Sequence, residues 1–377
     1  MLLLGAAVIG LVLANSAAAQ GAAAVEGLRL GIPGLLELSI GHWVTDGLLA
    51  VFFFIAAIEL RHELRNGELD SARKAFVPAV AAIGGVVVPA GIFLILVRDP
   101  QLAQGWPIPT ATDIAFALGV LAIVGRGLPA RFRALLLAIA VIDDLIAILI
   151  IAVFFTKDLL PLPLLIALPL VMLFGWLSYR ALRRRQWWAI PALVALGIAV
   201  WVLVYLSGIH PTIAGVALGL IMSDASARRT RHAIEPWSNL VILPIFALVA
   251  ALVPFPTASL TQLSPAFWGV IVALPVGKLI GITAGAVIAI ALGGRNSGDR
   301  MPLGDILAIA ALGGIGFTVS LLMNELAYDG QQNVANEVTL AVLAASVLAA
   351  LLGGLLAAAR SRHYRRAEAI PPPPSVR

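Results

Sequence analysis

The chain has 377 residues, of which 61% are hydrophobic and only 12% are charged. Soluble domains are about half apolar and about a quarter charged, so this composition, with a mean hydropathy of +1.01, excludes an ordinary cytosolic enzyme, a disordered chain and a collagen-like fibre. The absence of cysteine excludes a disulfide framework, a thiolate metal site and a cysteine nucleophile. The sequence therefore predicts an all-α polytopic membrane protein.

Apolar runs recur along the whole chain. A bilayer core of about 30 Å requires about 20 apolar residues per helix. About twelve runs approach that length, although the fourth and eighth are short. Because the loops between them are brief, we expect one transmembrane domain over residues 1–360, followed by a basic, proline-rich, disordered tail over residues 361–377. The runs lie near residues 1–19, 43–63, 76–97, 110–124, 132–155, 160–181, 188–207, 210–223, 236–254, 266–292, 302–326 and 337–359.

The first run ends in Ala17-Ala18-Ala19, and small residues of this kind also end a signal peptide. A signal peptide normally begins with a positively charged segment, whereas leucines directly follow Met1 in this sequence. The sequence therefore favours a retained membrane span over a cleaved signal peptide, and it leaves open whether that span is complete.

Basic residues are distributed unevenly between the two sides that the predicted spans define. If both termini lie on one side, most of the 25 arginines and lysines fall there, whereas Arg29, Arg98 and Lys157 fall on the other side. The positive-inside rule makes the richer side cytoplasmic. We therefore expect a multi-pass protein of the plasma (inner) membrane, surrounded by the lipid bilayer, with both termini in the cytoplasm. No interleaving of basic and aromatic residues indicates nucleic-acid binding.

Two adjacent aspartates and one lysine are predicted to lie deep in the membrane. Asp143 and Asp144 follow Arg133 by about ten residues, which corresponds to a depth of about 15 Å. Lys278 follows Pro265 by about twelve residues in a run of the opposite direction, at a depth of about 18 Å. Ionisable groups at this depth are usually functional, and a neighbouring carboxylate would keep the lysine charged. A purely structural ion pair is the alternative.

The fourth run is interrupted at its start. Pro107 and Pro109 disfavour a helix there, and Thr112 or Asp113 can cap the half-helix that follows. An extended stretch at membrane depth is tolerated only inside protein or beside water. Asp113 is therefore predicted to face a cavity, and a plain helix cap at the outer surface is the alternative.

A matching interruption is predicted in the eleventh run, where Gly313, Gly314 and Gly316 weaken a helix in mid-span. Small-residue helix packing is the alternative. The third to fifth and the tenth to twelfth runs thus form two trios that start on opposite sides of the membrane, each with a broken middle member. This pattern indicates an inverted-repeat transporter. The carboxylates, hydroxyls and free carbonyls at the interruptions are hard oxygen donors, which suit a small hard cation.

Several motifs resemble those of the NhaA family of sodium/proton antiporters, and they occur in the family's order over nearly the whole chain. They are Val44 to Phe53 (VTDGLLAVFF), Gly67 to Leu69, Arg73 to Ala75, Val80 to Gly85 (VAAIGG), Thr112 to Gly119 (TDIAFALG), Ile142-Asp143-Asp144, Gly208-Ile209-His210, Ala214-Gly215, Gly277-Lys278 and Gly314 to Thr318 (GIGFT).

The resemblance implies about twelve transmembrane helices with inverted repeats, in which two interrupted helices cross at mid-membrane. It also implies that Asp144 is the main cation ligand, that Asp143 lies beside it, and that Lys278 pairs with Asp143. Thr112 and Asp113 would lie at the crossing.

Other features of the family concern its surface and its response to pH. Residues 28–40 resemble the external β-hairpin that holds a homodimer in the family.

The chain departs from the family at His62, where many relatives have arginine, at Arg231, which is often acidic, and at Val249-Ala250-Ala251, which replaces Asn-Ala-Gly. Exchange is expected to survive these changes, and the family's pH set-point is not carried over. The candidate pH-response residues are Glu59, His62, Glu63, His210 and His232, of which the histidines can titrate near neutral pH; ordinary interfacial histidines are the alternative.

The sequence therefore predicts a secondary active transporter without a cofactor, and not an enzyme. It would export cytoplasmic Na⁺ or Li⁺ in exchange for external H⁺, with roles in Na⁺ and pH homeostasis, because buried aspartates bind either protons or a cation. The alternatives are an intramembrane aspartyl protease, which also needs two buried acids, a passive cation channel and a sodium-coupled symporter. Asp143 and Asp144 adjoin, which argues against the protease, and Lys278 beside two acids favours proton exchange over symport.

Overall fold

The computed structural model describes residues 2–32, 36–67, 69–156, 159–180, 188–255, 262–293 and 301–368. Helices form nearly all of the regular structure in these ranges, because a helix satisfies its own backbone hydrogen bonds where water is absent. In chain order the helices are α1 (Leu2–Ala14), α2 (Ala19–Gly27), α3 (Ile40–His42), α4 (Leu49–Asn66), α5 (Ala72–Leu96), α6 (Pro100–Ala103), α7 (Ile114–Val124), α8 (Ala130–Phe154), α9 (Pro161–Arg180), α10 (Ala189–Leu206), α11 (Thr212–Ile221), α12 (Asp224–Trp237), α13 (Leu243–Ala250), α14 (Pro265–Val272), α15 (Lys278–Gly293), α16 (Leu303–Gly313), α17 (Phe317–Ala327) and α18 (Gln332–Glu368).

Eight helical stretches of the described chain are long and apolar enough to cross a membrane, or up to 11 if each of three bent pairs counts as one span. The protein is therefore an all-α, multi-pass membrane protein, as its composition predicts. The short eighth run forms α11, whose 10 residues extend only about 15 Å. The first run forms α1, and α2, which follows it, makes an angle of 113° with α1.

The chain divides into two compact units. Unit 1 comprises Met1–Asp70, Asp144–Leu263 and Leu321–Leu340, and unit 2 comprises Ser71–Asp143, Ser264–Ser320 and Ala341–Arg377. Helices α8, α17 and α18 contribute residues to both units, and the division in α8 passes between the two adjacent aspartates.

In unit 1, glycines allow helix backbones to approach one another. A methyl group at Gly215 or Gly219 of α11 would meet the carbonyl oxygens of Ala50 and Phe54 on α4. Gly10 of α1 lies equally close to the backbone of α13. Small residues at contacts of this kind are typical of membrane helices, because close approach increases the van der Waals contact between them.

A two-stranded antiparallel hairpin also belongs to unit 1. Strands β1 (Arg29–Ile32) and β2 (Leu36–Ser39) pair in a register that places Arg29 opposite Ser39. The Nε1 of Trp43 donates a hydrogen bond of 3.0 Å to the Leu30 carbonyl, and the ring of Trp43 stacks on Trp201 of α10 at 5.5 Å. These contacts attach the hairpin to the helices of its own unit.

In unit 2, the longest helix contact joins α5 and α15. Methyl groups at Gly84 and Gly281 would meet each other's carbonyl oxygens, and one at Gly285 would meet the Val80 carbonyl oxygen. The two backbones are therefore in direct contact along this stretch.

The turn that precedes α15 is wider than an α-helical turn. Ala273–Gly277 form a π-helical segment, in which Pro275 has no N–H to donate to the preceding turn. Single π-helical turns are frequent at functional sites. This one comes directly before Lys278, the first residue of α15.

The last helix is longer than the sequence predicts. Helix α18 continues to Glu368, beyond the expected start of the tail at position 361. Asp305, fully buried in the first turn of α16, accepts hydrogen bonds from Arg360 Nε at 2.7 Å and from the Tyr364 hydroxyl at 2.5 Å. These bonds hold the end of α18 against α16 within unit 2, so it remains helical there. Residues 369–377 of the expected tail lie outside the described residues.

We predict that Gly84→Ala lowers the thermal stability of the solubilised protein, because the new methyl group would push α5 away from α15. Overpacking of this kind costs about 1–3 kcal/mol. Gly91, on the same helix, has open space around it, so Gly91→Ala is expected to leave stability unchanged or to raise it by up to about 1 kcal/mol. Equal melting temperatures for the two variants would contradict the close contact.

Candidate ion-binding site

Two helix interruptions lie next to each other in unit 2. The pair formed by Pro100–Thr110 and α7 is bent by 44°, and the pair formed by α16 and α17 is bent by 46°. The links at the two bends are joined by a backbone hydrogen bond of 2.6 Å, in which the Asp113 N–H donates to the Ile315 carbonyl. Prolines at 107 and 109 and glycines at 313, 314 and 316 account for the two breaks, since neither residue type favours a continuous helix.

The Asp113 carboxylate serves the first turns of both half-helices. Its Oδ1 accepts a hydrogen bond of 2.9 Å from the Phe116 N–H in the first turn of α7. Its Oδ2 accepts hydrogen bonds from the N–H and the hydroxyl of Thr318, at 3.2 and 2.9 Å, in the first turn of α17. The N-terminal end of a helix carries a partial positive charge, so one buried carboxylate compensates two helix ends. Asp113 is thus a helix cap and an interior residue at once.

Beside these links, Asp143 of α8 and Lys278 of α15 form an ion pair. The Lys278 Nζ lies 2.5 Å from Asp143 Oδ2, and both side chains are completely buried. Removing either charge would leave the other uncompensated in a region of low dielectric, where an isolated charge is very costly. Among the described residues, Asp143 Oδ1 is a buried oxygen with no hydrogen-bond partner.

Thr112 connects the ion pair to the end of α16. Its hydroxyl lies 2.7 Å from Asp143 Oδ2 and 2.8 Å from the Gly313 carbonyl oxygen. A hydroxyl has only one hydrogen to donate, so the two acceptors compete for it. The carbonyls in the last turn of α16 have no partner within the helix. The Thr112 hydroxyl therefore links this turn to the charge state of Asp143.

The glycines of the second interruption leave room for close neighbours. A methyl group at Gly316 would collide with the Ser320 and Leu274 side chains and approach the Ala111 carbonyl oxygen. A methyl group at Gly313 would meet the Ile282 side chain. The break and the small-residue packing that the sequence offers as alternatives therefore occur together.

Asp144 follows Asp143 directly in α8, and its side chain points about 100° away from that of Asp143 around the helix. It is buried, with 5% of its surface exposed. It is the first residue of the second segment of unit 1, whereas the other candidate ion-binding residues belong to unit 2.

The candidate pH-response residues all belong to unit 1, where they fall into two groups. In one, Arg231 of α12 lies 3.7 Å from Glu59 of α4 and 3.5 Å from Glu235. Also on α4 are Glu63, which is buried, and His62, which is half-buried, while His232 on α12 is exposed. Arg231 thus places a fixed positive charge between two acids.

The second group contains His210, which lies between α10 and α11. Its Nε2 lies 3.4 Å from Asp46 Oδ1, and its Nδ1 lies 2.8 Å from the Thr212 hydroxyl. Both His210 and Asp46 are buried, so this imidazole contacts an acid inside unit 1.

Sequence reasoning missed several residues of these clusters. Asp46 is an acid inside an apolar run, which is the signal that could have singled it out. Thr318 and Ser320 lie in the glycine-rich run, and Ser320 donates a hydrogen bond of 2.7 Å to the Ile108 carbonyl. The sequence does not indicate which backbone group a hydroxyl in such a run contacts.

The arrangement offers hard oxygen donors at the point where two helices are interrupted. Within the described ranges, no group of three or more His, Cys, Asp or Glu side chains could hold a metal ion. A bound cation would therefore also require hydroxyl or carbonyl oxygens, and such mixed oxygen sets suit Na⁺ or Li⁺ better than a soft transition metal.

Interrupted helices whose ends meet buried polar and charged side chains are typical of the sites of secondary transporters. Comparison with known proteins identifies the family. The family model described as Na⁺/H⁺ antiporter 1 matches residues 1–357, and the chain belongs to this family.

Similar proteins agree with this assignment. The chain is 51% identical over 373 residues to a protein named Na(+)/H(+) antiporter NhaA 2 from Clavibacter michiganensis, covering 98% of this chain and 91% of the relative. It is 46% identical to Na(+)/H(+) antiporter NhaA from Tropheryma whipplei, covering 87% of this chain and 84% of the relative. It is 40% identical to the protein of the same name from Thermobifida fusca, covering 97% and 92%.

We predict that Thr112→Val weakens the response to Na⁺, because it removes the hydroxyl that contacts Asp143 and Gly313 while keeping the volume of the side chain. A hydrogen bond to a charged group contributes about 1.5–3 kcal/mol, so the Na⁺ concentration for half-maximal exchange is expected to rise at least about tenfold. The measurement is Na⁺-dependent proton movement in everted membrane vesicles. Thr112→Ser, which keeps the hydroxyl, serves as the control, and a parent-like response of the valine variant would contradict the role of the hydroxyl.

Proposed function

We propose that this protein is a secondary active antiporter that exports cytoplasmic Na⁺ or Li⁺ in exchange for external H⁺ and so contributes to Na⁺ and pH homeostasis. Membership of the Na⁺/H⁺ antiporter family supports this function. The structural observation that carries it is the buried group of Asp143, Lys278 and Thr112 beside the two helix interruptions.

The proposed coupling follows from competition for the same oxygens. A carboxylate that binds a proton is a poor cation ligand, and one that holds a cation is poorly protonated, so the two substrates exclude each other. If the site opens alternately to the two sides of the membrane, this exclusion couples opposite fluxes without ATP. Asp143, Asp144 and Lys278 would titrate as an interacting set and not as separate groups.

In this proposal Asp144 is the main ligand of the transported cation, and Asp143 lies beside it. The buried Asp143 Oδ1, which has no hydrogen-bond partner among the described residues, supports a contribution from Asp143. Lys278 holds Asp143 in its charged form and couples the site to protons. Thr112 supplies a hydroxyl oxygen, and Asp113 fixes the two half-helices whose ends surround the cation.

We also propose that the chain crosses the plasma (inner) membrane twelve times with both termini in the cytoplasm, and that its two interrupted helices cross at mid-membrane within an inverted repeat. Helices form in each of the predicted apolar runs, and α7 and α11 are those of the two short runs, which supports this topology. In this arrangement residues 1–360 form a single membrane domain.

A homodimer held by the hairpin is a further part of the proposal. All four residues of β1 are exposed. They include Leu30 and Ile32, and the preceding Leu28 is exposed as well. An exposed strand with apolar side chains can pair with a second copy of itself.

The pH response is proposed to involve Glu59, His62, Glu63, His210 and His232. The ion pair between Arg231 and Glu59 supports a role for the first group, because a fixed positive charge alters the protonation of the acids around it. The buried pair of His210 and Asp46 supports a separate contribution from the second group.

The central test is the variant Asp144→Asn, which keeps the size of the side chain and removes its charge. In everted vesicles we expect Na⁺ to collapse an imposed pH gradient with the parent protein and to leave it unchanged with the variant, since a neutral amide is a much weaker cation ligand. Asp99→Asn is a matched control, because Asp99 is exposed and asparagine can replace it as the cap of α6. Retained exchange in Asp144→Asn would remove Asp144 from the central role.

A second test separates exchange from the alternatives. In proteoliposomes, Na⁺ efflux is expected to require a counter-flow of protons at every pH tested, with Li⁺ substituting for Na⁺. A passive channel would conduct Na⁺ without proton movement, and a symporter would move it together with another solute. Cleavage of a reporter peptide by the same preparation would favour the aspartyl protease.

A further inference from the structure

Helix α18 carries a stripe of exposed apolar side chains on one face. Leu348, Leu351 and Leu355 are all exposed. At about 100° per residue, these three side chains fall within about 60° of one another around the helix axis. An exposed apolar stripe on a membrane protein is suited to contact with a lipid acyl chain.

The same face continues into arginines. Arg362 and Arg366 follow Leu351 by about three and about four turns and fall in the same sector of the helix, and Arg365 lies at its edge. All three arginines are exposed. Arg362 Nε donates to the Ala358 carbonyl at 3.4 Å, and within the described part of the chain neither Arg362 nor Arg366 forms an ion pair.

The opposite face of this helix end is fixed within unit 2. Arg360 and Tyr364 are bound to the buried Asp305, and the Gly127 N–H donates to the Ser361 hydroxyl at 3.0 Å. These contacts set the rotation of α18 about its axis. The face that carries the leucines and the arginines therefore points away from these contacts.

We propose that this face of α18, defined by Leu348, Leu351, Leu355, Arg362 and Arg366, is a binding site for an anionic phospholipid. The leucines would contact an acyl chain, and the two guanidinium groups would bind the headgroup phosphate. Arginine forms paired hydrogen bonds to phosphate oxygens, and basic clusters directly beside a membrane span attract anionic lipids. The apolar stripe distinguishes a phospholipid from free phosphate, and the proposal does not depend on the antiport activity.

The experiment uses the full chain, purified in a neutral detergent and titrated with phosphatidylglycerol or phosphatidylcholine, with the melting temperature as readout. A ligand that binds the folded protein raises this temperature. Phosphatidylglycerol is expected to raise it more than phosphatidylcholine does. In the double variant Arg362→Gln/Arg366→Gln, the apparent affinity for phosphatidylglycerol is expected to fall about thirtyfold, at about 1 kcal/mol for each arginine.

The matched control is Arg228→Gln/Arg229→Gln, which removes the same charge from two exposed arginines of α12 and is expected to keep the parent affinity. The single variants Arg362→Gln and Arg366→Gln, each expected to lose about fivefold, test the proposal if the double variant does not fold. Parent-like affinity in the Arg362 and Arg366 variants would overturn the proposal. So would an equal loss in the α12 control, because the effect would then be one of net charge alone.

Discussion

The buried ion pair between Asp143 and Lys278 is the interaction on which the rest of the candidate site depends. Each charge offsets the free-energy cost of burying the other, which is very high for an isolated ion. The pair joins α8 to α15 in unit 2, and Thr112 extends it to the end of α16. Asp143 Oδ1 has no hydrogen-bond partner among the described residues, so one oxygen of this carboxylate is not engaged by the pair.

Polar side chains compensate the partial charges of the helix ends around the ion pair. Asp113 accepts hydrogen bonds from the first turns of both α7 and α17, so a negative charge lies where two partial positive charges meet. Thr112 lies on the other side of the same link and serves the carbonyl end of α16. Two adjacent residues of one extended segment thus satisfy helix ends of opposite polarity, which explains how irregular backbone is tolerated inside a membrane protein.

Much of this arrangement could be predicted from the sequence, because charged residues and glycine clusters are conspicuous within long apolar runs. Counting residues along the helices predicted that Asp143 and Lys278 lie in the interior, and both are buried. The prolines and glycines predicted the two interruptions. The partner of Asp305 could not be predicted, because Arg360 resembles any other arginine at the end of a membrane span. Its bond to Asp305 exists only once α16 and α18 are packed together, and that bond explains why the last helix extends past its expected end.

The backbone contact between α5 and α15 has a mechanical consequence. Where Gly84 and Gly281 meet, no side chains separate the two helices, and the carbonyl of each fills the space that a Cβ of the other would need. Sliding one helix past the other would drive these oxygens into bulkier neighbours such as Val88 and Ile282. Helices α5 and α15 should therefore translate and tilt together as a rigid body. The depth of the Lys278 ammonium in the bilayer then depends on α5 as much as on α15, which carries it.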